Sequence, residues 1–217
     1  MNKTVTLFGS TGLIGSEVLK LLINDDYFEN INIISRKKIN IDSKKIKNYI
    51  IDFSNIEDYK KVVNKDYIII ASIGTTQSKV NFNKIEYRKV DYDILLNIAM
   101  ACKSNKASSF SFVSSAGADE KSKNFYLKLK GEIENSIMQI GLKSCLIFRP
   151  SLLLGKRNEF RFGEIIGQKI MPLVSFLMKS EYKPIKAVDV AKSIVNESKK
   201  IISGNKIYQY SEMKNLN

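Results

Sequence analysis

In Thr4-Val5-Thr6-Leu7-Phe8-Gly9-Ser10-Thr11-Gly12-Leu13-Ile14-Gly15 a β-rich run passes through three glycines into a helical repeat. The first five residues are β-branched or apolar and read as a strand, and Leu13–Ile23 carries helical periodicity. Each glycine at the junction has its own physical task. Gly9 permits a tight turn, Gly12 lets backbone N–H groups approach a pyrophosphate, and Gly15 allows the helix to pack closely on the sheet. The helix N-terminus then faces the anion. Outside such a junction the G-x-x-G-x-x-G spacing says little; inside one it points to a dinucleotide. Ser10, Thr11, Leu13 and Ile14 complete the expected binding loop.

The alternation continues along the chain. Further strands are expected at Ile31–Ser35, Asn48–Asp52, Asp66–Ser72, Ser109–Ser114 and Ser144–Phe148, with helices at Phe82–Lys103 and Lys123–Gln139. Ile85, Ile94, Leu95, Ile98 and Ala99 are read as the apolar stripe of the longer helix. Strands alternating with helices predict an α/β fold, a doubly wound and mostly parallel sheet of Rossmann type. Past Pro150 the rhythm loosens into helix-like segments at Arg161–Lys179 and from Asp189, then a strand-like Lys206–Tyr210. Residues 1–150 are therefore expected to form the nucleotide-binding core. Residues 151–217 form a small C-terminal elaboration that closes over the substrate and is not an independent domain.

The composition excludes whole classes of chemistry. Histidine is absent from the 217 residues, which removes Ser-His-Asp and Cys-His mechanisms and imidazole metal sites; no metal is expected. Cys102 and Cys145 lie in apolar stretches and build neither a zinc cage nor a disulfide framework, so a reducing, cytoplasmic setting is inferred. The early strand leaves no room for a signal peptide, and no apolar run reaches the ~18 residues of a transmembrane helix. The net charge of +13 suggests nucleic acid at first sight. Thirty of the thirty-five basic residues, however, are lysines spread over nearly the whole chain, and no recognition-helix or RNP-like pattern accompanies them. No nucleic-acid partner is expected.

The end of the second strand reads Ser35-Arg36-Lys37-Lys38, about 20 residues past the last glycine, where an NAD site would hold an acid for the ribose 2′-hydroxyl. None is present. Arg36 is placed to pair with a 2′-phosphate instead, which predicts that NADPH is preferred over NADH. Asp52 closes the third strand, either accepting from the adenine amino group or capping its own loop. Ile73-Gly74-Thr75 follows the fourth strand, at the edge where doubly wound sheets hold ligands.

Without histidine, proton transfer falls to Tyr, Lys, carboxylate or thiol. Tyr126 and Lys130 are four apart on the helix after the fifth strand and share a face. An ammonium beside a phenol favours the phenolate and makes the tyrosine usable as acid or base. Ten tyrosines and thirty lysines make such spacing commonplace, and Tyr182/Lys186 and Tyr210/Lys214 repeat it. Position selects Tyr126, which follows Ser114-Ser115 by about a dozen residues; a serine hydroxyl there can hydrogen-bond a carbonyl oxygen beside the tyrosine.

The ordered set Gly9-x-x-Gly12-x-x-Gly15, Ser114-Ser115 and Tyr126-x-x-x-Lys130 resembles the short-chain dehydrogenase/reductase superfamily in its atypical or extended branch. Gly74-Thr75-Thr76, Ser114-Ser115-Ala116-Gly117-Ala118-Asp119, Tyr126 through Lys130-Gly131-Glu132, Phe148-Arg149-Pro150 and Arg161-x-Gly163-Glu164 resemble, more narrowly, the Tat-interactive-protein-like NADP-binding oxidoreductases. The resemblance implies that the glycine loop, Arg36, Lys37, Gly74, Tyr126 and Lys130 contact NADP, that backbone from Pro150 to Leu153 flanks the nicotinamide, and that Arg161 lies near the cofactor. It implies Tyr126 as proton donor, Lys130 as ribose ligand and tuner of the tyrosine, and Ser115 as the group that orients the substrate carbonyl. Where many relatives carry a relay asparagine, this chain reads Val90-Asp91-Tyr92, and two readings stay open: Asp91 serves the relay, or the relay is missing. The short C-terminal region predicts a pocket that is small, open or completed by another subunit. The expected activity is hydride transfer to or from a small carbonyl or alcohol of unknown identity. The alternative is an NADP(H)-binding regulatory or scaffold protein, acting through a protein partner with little turnover.

Overall fold

The computed structural model describes residues 3–155 and 180–216. β1 (Lys3–Phe8) leads through the glycine loop into α1 (Leu13–Ile23), followed by β2 (Phe28–Ser35), β3 (Ile46–Ile50), α2 (Ile56–Val62) and β4 (Ile68–Ala71). Next come α3 (Lys84–Arg88), a π-helical turn (Lys89–Asp93), α4 (Ile94–Asn105), β5 (Ser109–Val113), α5 (Phe125–Ile140) and β6 (Ser144–Phe148). The chain ends with β7 (Leu153–Leu154), β8 (Ile185–Lys186), α6 (Ala187–Ser198), β9 (Gly204–Tyr208) and α7 (Tyr210–Asn215).

Seven strands form one parallel sheet in the order β3-β2-β1-β4-β5-β6-β9. The fold is the doubly wound α/β sheet expected, and its order reverses between β1 and β4. Successive strand residues point to opposite faces, and both faces are apolar. Leu7, Ile33, Ile70 and Phe148 pack under α1 and α6 with Val18, Leu22, Val190 and Ile194. Phe8, Ile34, Ile69 and Ile147 pack on the other face with Leu95, Ile98, Ile133 and Ile137. Burial on both faces is why these strands read as nearly continuous hydrophobic runs.

Some boundaries differ from expectation for local reasons. β3 ends at Ile50, two residues short of Asp52, and runs along the sheet edge with Ile50 60% exposed. β9 stops at Tyr208 because Gln209 and Glu212 form a capping box that starts α7. α2, not expected, begins where Asn55 accepts from the Glu57 N–H. The stripe read on the long helix also needs correction, because Ile85 is 68% exposed. The buried line runs instead through Tyr87, Asp91, Leu95 and Ile98, so it includes a phenol and a carboxylate. An apolar-only pattern passes over both. The helix expected at Arg161–Lys179, and Arg161 itself, lie outside the described residues.

Beyond residue 150 the chain returns to the main sheet. α6 packs on α1, and β9 pairs with β6 from Ser144↔Gly204 to Phe148↔Tyr208. β7 and β8 pair in a separate two-stranded ladder.

Candidate active site

The glycine loop sits at the point of reversed strand order. Gly9 adopts φ +83°, and the Gly12 N–H donates to the Gly9 carbonyl at 3.0 Å. A Cβ on Gly9 would lie 2.7 Å from the Ser72 carbonyl oxygen, and one on Gly15 only 2.0 Å from the Gly9 oxygen. These two glycines are thus demanded by the approach of α1 to β1 and β4. Gly12 differs: a Cβ there meets nothing closer than 3.4 Å. It caps α1 without a side-chain hydrogen bond, and the first turn holds no acid. Ser10 is buried with its Oγ unpartnered among the described residues, Thr11 is exposed, Leu13 is half-buried and Ile14 is buried.

Arg36 and Lys37 stand exposed just beyond β2, whose Ile34 pairs with Phe8 beside the loop. Asp52 is exposed, and its Oδ1 accepts from the Ser54 N–H at 2.8 Å and the Ser54 hydroxyl at 2.7 Å. Those hydrogen bonds hold its carboxyl below the usual range. Of the two readings open for Asp52, this geometry realises the loop cap.

After β4, Ile73 and Thr75 are half-buried and Gly74 is exposed. Asp91 reaches this loop from the π turn: its Oδ2 accepts from the Thr75 N–H at 2.7 Å, while Oδ1 lies 2.8 Å from Lys130 Nζ. Both side chains of the ion pair are buried, 2% and 4% exposed. Burial opposes the Lys130 ammonium, but the charge and hydrogen bond of Asp91 outweigh it and hold the lysine above its ordinary pKa. Removing one partner of such a pair typically costs about 3–5 kcal/mol, because the other is left as an uncompensated buried charge.

α5 delivers Tyr126 and Lys130 from a fixed origin. Asn124 caps the helix by accepting from the Tyr126 and Leu127 N–H groups at 2.9 and 3.2 Å. Tyr126 is half-buried, with its ring centroid 5.8 Å from Lys130 Nζ. Tyr87 packs edge-on against it at 6.4 Å and donates its hydroxyl to the Thr75 carbonyl at 3.3 Å. Gly131 then lets the Ser115–Ser122 loop cross the helix, since a Cβ there would lie 2.2 Å from the Glu120 nitrogen.

One turn further along, buried Glu134 accepts from the Ser114 hydroxyl and takes both Arg149 Nε and Nη2, with Nε 3.0 Å from Oε1. The network ties the ends of β5 and β6 to α5. Ser115, half-buried, directs its hydroxyl to the Ala116 carbonyl at 3.2 Å, and the Pro150 carbonyl accepts from the Ala116 N–H at 2.9 Å. Leu153 lies in β7. A Cβ on Gly155 would come within 2.9 Å of Leu13, so this segment reaches the glycine loop.

The carboxyl ends of β1, β4, β5 and β6 thus gather the glycine loop, Gly74, Thr75, Ser115, Tyr126, Lys130, Pro150 and Leu153, while Asp52 stands two strands away beyond β3. Sequence reasoning missed Tyr87, Glu134 and the carboxylate partnership of Lys130. The periodicity does offer Glu134, because Tyr126, Lys130 and Glu134 fall at i, i+4 and i+8. Cys102 and Cys145 are buried free thiols; burial, and then Glu134, push Cys145 up to about 12, so neither is a ready nucleophile.

Residues 9–161 match the family model described as NAD(P)H-binding. The chain belongs to that family, among the HTATIP2-like atypical short-chain dehydrogenase/reductases. It is 28% identical over 198 residues to Protein HTATIP2 of Rattus norvegicus, covering 90% of this chain and 81% of that protein. It is 32% identical over 168 residues to Protein FMP52, mitochondrial, of Candida glabrata, covering 74% of this chain and 68% of that one. Among solved structures, the UDP-glucose 4-epimerase of Thermus thermophilus in complex with NAD superposes with a TM-score of 0.69. The identity there is 15%, over 97% of this chain and 81% of the other, so the likeness is one of fold. As a member of this NAD(P)H-binding family the chain has an oxidoreductase-like fold. Among its described residues no helix is long and apolar enough to cross a membrane.

Proposed function

We propose that the chain is an NADP(H)-dependent oxidoreductase that reduces a small carbonyl, or oxidises the matching alcohol, with Tyr126 as proton donor. The observation that carries the reading is the half-buried Tyr126 on the same helix face as Lys130, at the sheet edge that also holds the glycine loop.

The residues present fit a dinucleotide. Gly12 leaves a cradle open to backbone approach, the α1 N-terminus has no side-chain cap, and the buried Ser10 hydroxyl lacks a partner among the described residues. Gly9 through Gly15 would hold the pyrophosphate, and Arg36 with Lys37 the 2′-phosphate. Ile73, Gly74 and Thr75 would line the middle of the crevice, and Pro150 to Leu153 the nicotinamide end. When bound, the nicotinamide supplies or accepts the hydride.

The chain's own groups do the rest. Ser115 orients the carbonyl oxygen by a hydrogen bond, and Tyr126 gives its hydroxyl proton to that oxygen. Lys130 donates hydrogen bonds to the nicotinamide ribose. The expected preference is for NADPH over NADH. Buried free thiols suit a reducing compartment, and we place the protein in the cytoplasm, a placement cell fractionation tests against the mitochondrial location in the FMP52 name.

The test is NADPH oxidation across a panel of aldehydes and ketones with purified protein, repeated with Tyr126→Phe. The variant keeps the ring and its packing on Tyr87 but lacks the proton. General acid catalysis contributes about 10²–10⁴-fold, so turnover should fall by that order with NADPH affinity little changed. Full activity in Tyr126→Phe would defeat the mechanism. NADPH binding with no turnover of any panel member would favour a regulatory protein.

A further inference from the structure

Lys130 has three N–H donors. One points to Asp91 at 2.8 Å, and the other two have no hydrogen-bond acceptor among the described residues. The titratable groups that act on it are Asp91 across the helix interface, and Tyr126 and Glu134 on its own helix. Asp91 is itself engaged through both oxygens, taking Lys130 on Oδ1 and the Thr75 N–H on Oδ2. Both neighbours are donors. An asparagine offers one acceptor oxygen and an NH₂ group, so in either orientation it would set donor against donor. The geometry therefore demands a carboxylate where a relay asparagine was the familiar alternative.

We propose that Asp91 is a positioning residue: it anchors the Lys130 ammonium to the loop after β4 and turns the lysine's two remaining N–H bonds toward the nicotinamide ribose. The inference rests on the cofactor assignment above. Asp91 sits in the π turn, on the buried line of the helix with Tyr87 and Leu95. Through Thr75 the same carboxylate holds the loop that lines the crevice, so lysine and loop keep one register.

Calorimetric titration of the full chain tests this with two probes. NADPH carries the nicotinamide ribose; adenosine 2′,5′-bisphosphate carries the 2′-phosphate without it. Asp91→Asn should weaken NADPH by about tenfold or more, the loss of a charge-assisted hydrogen bond, and leave the bisphosphate within about twofold. Equal loss for both probes would mean general damage to the site and overturn the inference. Lys130→Met should show the same split. If Lys130→Met leaves NADPH unchanged, the cofactor assignment itself fails; if only Asp91→Asn is silent, the inference fails alone. Should Asp91→Asn not fold, the double variant Asp91→Leu/Lys130→Met removes both buried charges together. It should bind NADPH as Lys130→Met does, and a further tenfold loss would show Asp91 acting independently of the lysine.

Discussion

The carbonyl oxygen of Gly9 lies 2.0 Å from where a Cβ on Gly15 would sit, whereas a Cβ on Gly12 would stand 3.4 Å from the same oxygen. The three glycines of one motif therefore answer to different constraints. Gly15→Ala should destabilise the fold by about 1–3 kcal/mol, the usual cost of overpacking, seen as a lower melting temperature without ligand. Gly12→Val should stay folded and lose NADPH, because the branched side chain fills the space where backbone meets pyrophosphate. A folded Gly12→Val protein with unaltered affinity would place the ligand elsewhere.

Arg36 governs the choice of cofactor. It is exposed at the end of β2, beside the glycine loop, where no acid accompanies it. A hydrogen bond to a charged group contributes about 1.5–3 kcal/mol, so NADPH should bind roughly ten- to hundredfold more tightly than NADH. Arg36→Ala should erase most of that gap while leaving NADH affinity nearly unchanged. Titration of both proteins with both nucleotides decides it, and equal affinities in the unmutated protein would refute the assignment.

Glu197 makes stability depend on pH. Its carboxylate is buried, which works against ionisation, but hydrogen bonds from Lys200 and from the Tyr208 hydroxyl at 2.6 Å outweigh burial and hold it below the ordinary 4.5. A depressed folded-state pKa gives stability that is complete above the unfolded value and disappears as pH falls through the folded one. Glu197→Gln should thus lower the melting temperature most near pH 7, by about 2–4 °C for each kcal/mol lost. The gap should narrow as the pH falls below 4.5. A gap of constant size from pH 7 to pH 3 would show that charge is not what Glu197 contributes.

Much of this was legible in the sequence where the relevant distance is short. The strand–glycine–helix junction identifies itself locally, and Leu13–Ile23 and Ser144–Phe148 form with the expected bounds. Tyr126 and Lys130 share a helix face, as i,i+4 spacing requires. What stayed hidden depends on contacts across the fold. Asp91 and Lys130 are 39 positions apart; the resemblance offered Asp91 as a relay residue, but nothing near either marks the direct ion pair. Asp52 was ambiguous because an Asp shortly before Ser-Asn caps a turn as readily as it meets a base. The exposure of Ile85 escaped a reading that credited only apolar residues to the buried line, when Tyr87 and Asp91 occupy it.

The π turn at Lys89–Asp93 gives the long helix two phases. Such a turn amounts to one residue inserted into an α-helix, and each residue advances a regular helix by about 100°. Downstream of it, Leu95 and Ile98 face the sheet; upstream, Tyr87 faces Phe125 and Tyr126. Deleting a single residue such as Val90 would restore a regular helix at little cost in backbone hydrogen bonding. It would also rotate Tyr87 by more than a quarter turn out of its aromatic contacts. The segment therefore tolerates many exchanges of side chain but very little change in length.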